Sequence, residues 1–178
     1  MQIFSTAQCV GYAAFVLGVS AFLQKSDRRL KTLNASESLA YTIHFALLGN
    51  PSASACALIS CIRSFLSLKV RSPYLAAVFI AVNLTLGFIL AKSAIGWLPV
   101  IGACFATLAI FLMRGVRMRL VLLVSTLFWL ANNILSGSIG GTLLEFTIAT
   151  VNLMTVAQML RARAQMREQE LSPSLQSK

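Results

Sequence analysis

Acidic residues are scarce in this chain: five Asp and Glu among 178 residues, against fifteen Lys and Arg, with a single histidine. Charged residues of both signs make up 11% of the sequence, far below the roughly 25% of a soluble domain. So few charges could not cover the surface of a soluble protein of this size, whereas lipid removes that requirement. One histidine excludes an HExxH or His-rich metal site. No GxxxxGKS/T loop is present, which excludes ATP-driven transport by this chain alone, and no GxSxG elbow occurs. Four of the five carboxylates fall in basic loops or the tail, which leaves Glu145 without an acidic companion. Neither an enzyme, a metal nor a cofactor is therefore expected.

The four cysteines, Cys9, Cys56, Cys61 and Cys104, lie inside apolar runs, without the paired spacing of a zinc site or a loop position suited to a disulfide. They read as small packing residues. The first apolar run has no basic region before it and reads as a spanning helix, not a removable signal peptide.

What is present is hydrophobicity: 57% of residues are apolar, and the mean hydropathy is +0.79. Seven apolar segments are readable, at 3–23, 35–48, 52–68, 74–91, 98–113, 120–135 and 142–160. Each is about long enough for a ~30 Å hydrocarbon core with some tilt or thinning. The second is the shortest; Asn34 with Glu37 predicts a capping box at its start, and Gly49-Asn50-Pro51 ends it.

The basic residues alternate with these runs. Lys25, Arg28, Arg29 and Lys31 follow the first run, and Lys69 with Arg71 the third; Arg114, Arg117 and Arg119 follow the fifth. Arg161, Arg163, Arg167 and Lys178 follow the last. The intervening loops hold only Lys92, and Arg63 lies within a span. This is the positive-inside pattern. It predicts an odd number of spans, with the N-terminus outside and the C-terminus in the cytosol of a bacterial inner membrane. A net charge of +10 therefore meets anionic lipid headgroups and not nucleic acid. Asn34-Ala-Ser36 and Asn83-Leu-Thr85 match the glycosylation pattern, but one is expected in the cytosol and the other in lipid.

The loop chemistry repeats, a basic loop and then a tight neutral turn in each half. A shift of 88 positions carries His44 onto Asn132, Gly49 onto Gly137 and Ser54 onto Thr142; a shift of 91 carries Gly11 onto Gly102 and Arg28 onto Arg119. The expected fold is all-α: a polytopic membrane protein of seven transmembrane helices in a 3+1+3 pseudo-symmetric parallel repeat. A single membrane domain covers 1–163, with repeat A at 3–68, a linker helix at 74–91 and repeat B at 98–160. A polar, disordered cytosolic tail is expected over 164–178.

Leu98-Pro99-Val100-Ile101-Gly102, Trp129 with Asn133, Gly137-Ser138-Ile139-Gly140-Gly141-Thr142, and Glu145 with Asn152 carry a resemblance to the YgjV-type bacterial inner-membrane protein family. Asp27-Arg28-Arg29, His44-Phe45 and Ile62-Arg63 agree with it in the first half, and the similarity covers about residues 8–160. The resemblance implies a location and an architecture more than an activity. The 3+1+3 layout is similar to that of the SWEET and PQ-loop small-solute transporters, although neither half carries the Pro-Gln pair of the latter.

Ionisable residues inside spans are functional candidates. At 1.5 Å per residue, Glu145 is expected roughly 5 Å below the outer rim, Asn152 roughly 15 Å and Arg63 roughly 17 Å. Two layers follow. A central one comprises Ser60, Arg63, Ser64 and Asn152, with Asn83 on the linker, where Arg63 would hold a carboxylate, phosphate or hydroxyl-rich solute and Asn152 would donate and accept. An outer one comprises His44, Asn132, Asn133 and Glu145, as a gate or proton-coupling group. Plainer roles compete with these. The Arg63 guanidinium would equally snorkel to headgroups, and Glu145 would cap its helix. His44 would serve packing, and the asparagines would join helices. The leading expectation is a transporter of a small polar solute; the alternative is a non-transporting sensor or scaffold. Oligomerisation is left open.

Overall fold

Proline and glycine set the ends of several helices. Pro51 and Pro73 occupy the first turns of their helices, where the missing N–H is not needed. Gly49, Gly115 and Gly137 have positive φ values of 71°, 61° and 69°, a conformation that favours glycine. A computed structural model describes residues 4–22, 27–70, 72–113 and 115–176. Among the described residues it forms seven helices: α1 (Thr6–Phe22), α2 (Asp27–Leu47), α3 (Pro51–Leu66), α4 (Pro73–Leu90), α5 (Ala94–Leu112), α6 (Gly115–Leu135) and α7 (Ile139–Gln176).

Four of these, α4 to α7, are long and apolar enough to cross a membrane, and α1 and α3 are shorter apolar helices. The second helix differs from the expected span. It starts at Asp27, not near residue 35, and has 21 residues, about 32 Å of helix. Asn34 and Glu37 therefore lie in its interior, and the expected capping box is not formed. No Gly or Pro interrupts Asp27 to Leu47, so the polar stretch continues as helix, and from it Asn34 donates to Ser64 Oγ of α3 at 3.0 Å. At the other end, α7 remains helical to Gln176, beyond the point at which a disordered tail was expected. Arg161 to Glu170 consists of good helix formers with no Gly or Pro. Lys25, Arg71, Arg114 and Lys178, used for the charge pattern, lie outside the described residues.

The helices pack in two sequential groups, α1 with α2 and α2 with α3, then α5 with α6 and α6 with α7. Across the groups α1 meets α7 and α3 meets α5, while α4 lies against α3 and α5. The burial pattern is inverted relative to a soluble protein. Phe88, Ile89, Phe146, Leu153 and Met154 are exposed, whereas Gln8, His44, Asn83, Asn132 and Asn133 are almost wholly buried. An apolar exterior on this scale is an aggregation hazard in water and the expected lipid-facing surface in a bilayer. Close approach comes from small residues: Ala14, Ala53, Ala57, Cys56, Ala103 and Ala109 are buried at helix contacts.

Candidate functional site

Two glycine turns tie the helix groups together. After Gly49, Asn50 caps α3 by accepting from Ala53 N at 3.1 Å. Its amide also donates across to Asn132 Oδ1 at 2.9 Å and to Ser136 Oγ at 2.8 Å. After Gly137, Ser138 Oγ accepts from Gly141 N at 3.1 Å and lies 2.7 Å from His44 Nε2. The shift of 88 that carries His44 to Asn132 carries Asn50 to Ser138, so each turn reaches the matching position of the other group. His44 Nδ1 lies 2.6 Å from Ala7 O. Gln8 donates to Gly137 O at 2.7 Å and accepts from Ile139 N at 3.2 Å. Both imidazole nitrogens are thus engaged with protein groups, and a zero-exposure ring in such contacts fixes helices in place.

Between the groups lies a cavity of about 170 Å³. From α2 it is lined by Asn34, Glu37, Ser38 and Tyr41, and from α3 by Ala57, Ser60 and Arg63. Helix α6 adds Arg119, Leu122, Ser125, Thr126 and Trp129; α7 adds Glu145, Ile148 and Asn152; Ala106 and Ile110 of α5 complete it. Lining positions correspond across the groups. A shift of 88 carries Asn34, Glu37, Ser38, Tyr41, Ala57 and Ser60 onto Leu122, Ser125, Thr126, Trp129, Glu145 and Ile148, and all of them face the cavity.

Arg63 is buried in this wall at 5% exposure and turned inward, not toward headgroups. One terminal nitrogen donates to Thr107 Oγ1 at 2.8 Å and Ala103 O at 3.3 Å, the other to Ser60 Oγ at 3.4 Å. Among the described residues its Nε has no hydrogen-bond partner, nor has the buried hydroxyl of Tyr41. Arg119 donates to Asn152 Oδ1 at 2.9 Å. Glu145 interacts with the hydroxyl of Thr126, and Glu37 with that of Ser38. Tyr41 and Trp129 flank Phe45, with ring centroids 5.4 and 6.0 Å from it, and give one end of the site an aromatic wall.

Of the sequence-derived candidates, Ser60, Arg63, Asn152 and Glu145 meet at this cavity. Ser64 is buried beside it and accepts from Asn34 Nδ2 at 3.0 Å. His44, Asn132 and Asn133 belong to the turn network; Asn133 donates to Trp129 O at 2.9 Å. Glu145 is thereby separated from the three residues grouped with it by depth. Asn83, on α4, donates to Phe79 O of its own helix at 2.8 Å and does not line the cavity. Glu145 also has an acidic companion after all, because Glu37 lies in α2 and not in a cytosolic loop. Glu37, Asn34, Tyr41, Trp129 and Arg119 were not read as site residues from the sequence. Applying the shift of 88 to the whole polar pattern of α2 and α6 would have found most of them.

An apolar exterior and a polar, charged interior cavity between helices define an integral membrane protein built around an internal polar site. Residues 5–163 match the Imp-YgjV family, described as bacterial inner membrane protein. The chain is 34% identical over 161 residues to the inner membrane protein YgjV of Escherichia coli (strain K12), a match covering 90% of this chain and 88% of that protein. The chain belongs to this family of bacterial inner membrane proteins. No solved structure matches it.

Proposed function

We propose that the chain crosses the inner membrane seven times, N-terminus outside and C-terminus in the cytosol, as two parallel three-helix repeats joined by α4. We further propose that the cavity is the binding site of a small-solute transporter. Helices α1 and α3, with 17 and 16 residues, reach about 25 Å, enough with local thinning. Helix α2, at 21 residues, has the length of a span and carries Asp27, Arg28, Arg29 and Lys31 in its first turns.

The repeat is supported by the turns at Gly49 and Gly137, by the exchange of the Asn50–Asn132 and Ser138–His44 contacts, and by the matched lining positions. Contacts across the groups have the same symmetry: exchanging α1 for α5 and α3 for α7 turns the α1–α7 contact into α3–α5. Both halves then contribute equivalent walls to one central site, the arrangement from which rocking between inward-open and outward-open states follows.

The observation that carries the transport reading is the cavity with two arginines and two carboxyl side chains in its wall. Charged side chains at membrane depth are costly and turn toward solute or proton pathways. A scaffold or sensor would be favoured by a dry, fully packed interior, and this interior contains a polar cavity. The test is uptake of labelled sugars, nucleosides, organic acids and amino acids into proteoliposomes holding the purified protein. Saturable uptake lost in Arg63→Ala supports the proposal. Uptake of none of these solutes above that of empty vesicles overturns it.

A further inference from the structure

The charges in the cavity are sorted by kind. Tyr41 lies within electrostatic reach of both Glu37 and Glu145, and the two carboxylates lie within reach of each other. On the other side, Arg119 is hydrogen-bonded to Asn152, seven residues beyond Glu145 on α7, which is about 10 Å along the helix. Arg63 stands six residues beyond Ala57, the position on α3 that corresponds to Glu145. One end of the site is therefore acidic and the other basic.

Opposite charges buried in one site usually bind each other, since an unpaired buried charge is expensive. Here the amino groups of Arg63 go to Thr107, Ala103 and Ser60, and that of Arg119 to Asn152. Of the buried donors without partners among the described residues, Arg63 Nε and the Tyr41 hydroxyl are on side chains of the cavity wall, and Asn132 Nδ2 is in the turn network. A monoanion would satisfy one end and oppose the other, and a monocation the reverse. A neutral polyol would leave the two guanidinium groups, which bond only neutral partners, without a counter-charge. The ligand that satisfies both ends is dipolar, with an anionic and a cationic group a few ångströms apart.

From this polarity we infer that the cavity takes a small zwitterion of the α-amino acid type. Its carboxylate is held by Arg63 and Arg119 and its ammonium group by Glu37, Glu145 and the Tyr41 oxygen. Guanidinium–carboxylate and ammonium–carboxylate bonds each span about 2.8 Å, so one molecule between them bridges a gap close to the separation of the two ends. The size agrees. A cavity of about 150 Å³ accommodates benzene, so the 170 Å³ here suits a solute of about six to eight non-hydrogen atoms, an amino acid with a short side chain. The inference rests on the cavity being a solute site and specifies the class of solute.

Four probes of one shape separate the contributions: L-alanine, L-lactate with hydroxyl in place of ammonium, L-alaninol with hydroxymethyl in place of carboxylate, and propane-1,2-diol with neither charge. Binding to the purified full-length protein is measured calorimetrically, and the same four compounds compete in the liposome assay. Alanine is expected to bind at least tenfold more tightly than each of the others. Glu145→Gln should abolish the preference of alanine over lactate, and Arg63→Lys should reduce alanine toward the alaninol level; gel-filtration profiles like wild type verify that both variants fold. If either does not, Glu37→Gln and Arg119→Lys replace them with the same expected outcomes. Lactate or the diol binding as well as alanine overturns the zwitterion assignment while leaving the solute site standing. Binding of none of the four overturns the assignment, and failure of the broader uptake screen as well removes the transport reading with it.

Discussion

Asn50 donates a 2.9 Å hydrogen bond to Asn132, joining the turn after α2 to the last turns of α6. Its counterpart under a shift of 88 is the 2.7 Å contact between Ser138 and His44. Each three-helix group is thereby fastened to the other through equivalent buried polar groups. In hydrocarbon this type of contact holds helices together where the hydrophobic effect cannot.

Asn50→Ala should accordingly destabilise the protein well beyond an ordinary surface change. The variant loses the amide bonds to Asn132 and Ser136 and the cap on Ala53 N. It also leaves the almost wholly buried Asn132 without its donor. A stranded buried acceptor and a lost cap together correspond to about 2–3 kcal/mol. The thermal midpoint in detergent should fall by roughly 5–10 °C. Asn50→Asp, which keeps the cap acceptor but not the amide donor, should fall in between.

The glycines of the two halves give a contrast within one residue type. A Cβ on Gly140 would clash with the carbonyl oxygen of Gly11 and lie 2.6 Å from the carbonyl carbon and 3.0 Å from Tyr12 N. Those atoms are backbone and cannot turn aside, so Gly140→Ala has to push α1 away from α7. A loss of about 3 kcal/mol is expected, at the upper end for overpacking, with poor recovery of folded protein. Gly49 has open space around it and a φ of +71°. Gly49→Ala therefore meets only backbone strain of about 1 kcal/mol. Melting curves of both variants in the same detergent check the difference.

The sequence made the helices legible and the site only partly so. Apolar runs separated by Gly-Asn-Pro or Gly-Ser turns marked most elements, and the turns also revealed the correspondence of His44 with Asn132. The start of α2 was missed because Arg28 to Glu37 looks like a loop on hydropathy. In a helix whose polar side faces an internal cavity, that same polarity is compatible with burial among neighbours. Arg119 was hidden for a related reason: beside Arg117 it reads as a headgroup anchor, whereas its side chain reaches Asn152. Which residues converge depends on helix rotation. In a chain surrounded by lipid both faces of a helix are apolar, so no amphipathic period reports that rotation. Arg63 and Asn152 stood out only because charged and amide groups are rare at such depths.

Orientation can be measured at two exposed lysines. Lys69 follows α3, and Lys92 lies between α4 and α5. With the N-terminus outside, the first faces the cytosol and the second the periplasm. In a background where Cys9, Cys56, Cys61 and Cys104 are replaced by Ala or Ser, Lys92→Cys should react with a membrane-impermeant maleimide on intact spheroplasts. Lys69→Cys should react only after the membrane is opened. The reverse pattern would invert the topology, and labelling of both sites in intact spheroplasts would break the alternation of spans.

Thr107 is a positioning residue for Arg63. It is wholly buried on α5, outside the cavity wall, and its hydroxyl donates to Ala103 O at 2.7 Å while accepting from the Arg63 guanidinium at 2.8 Å. The hydroxyl thus passes Arg63 onto the α5 backbone and holds the fork in one orientation. Thr107→Val removes that acceptor without opening a void, and the loss of one charge-assisted bond corresponds to about 1.5–3 kcal/mol. A helix whose own backbone bonds are intact should still fold, so the effect should appear mainly in solute affinity, as a loss of about tenfold or more in the binding assay. Thr107→Ser keeps the hydroxyl and should restore most of that affinity, which a role in packing alone would not, since serine lacks the methyl group. Equal affinity in wild type, Thr107→Val and Thr107→Ser would show that the orientation of Arg63 has no bearing on binding.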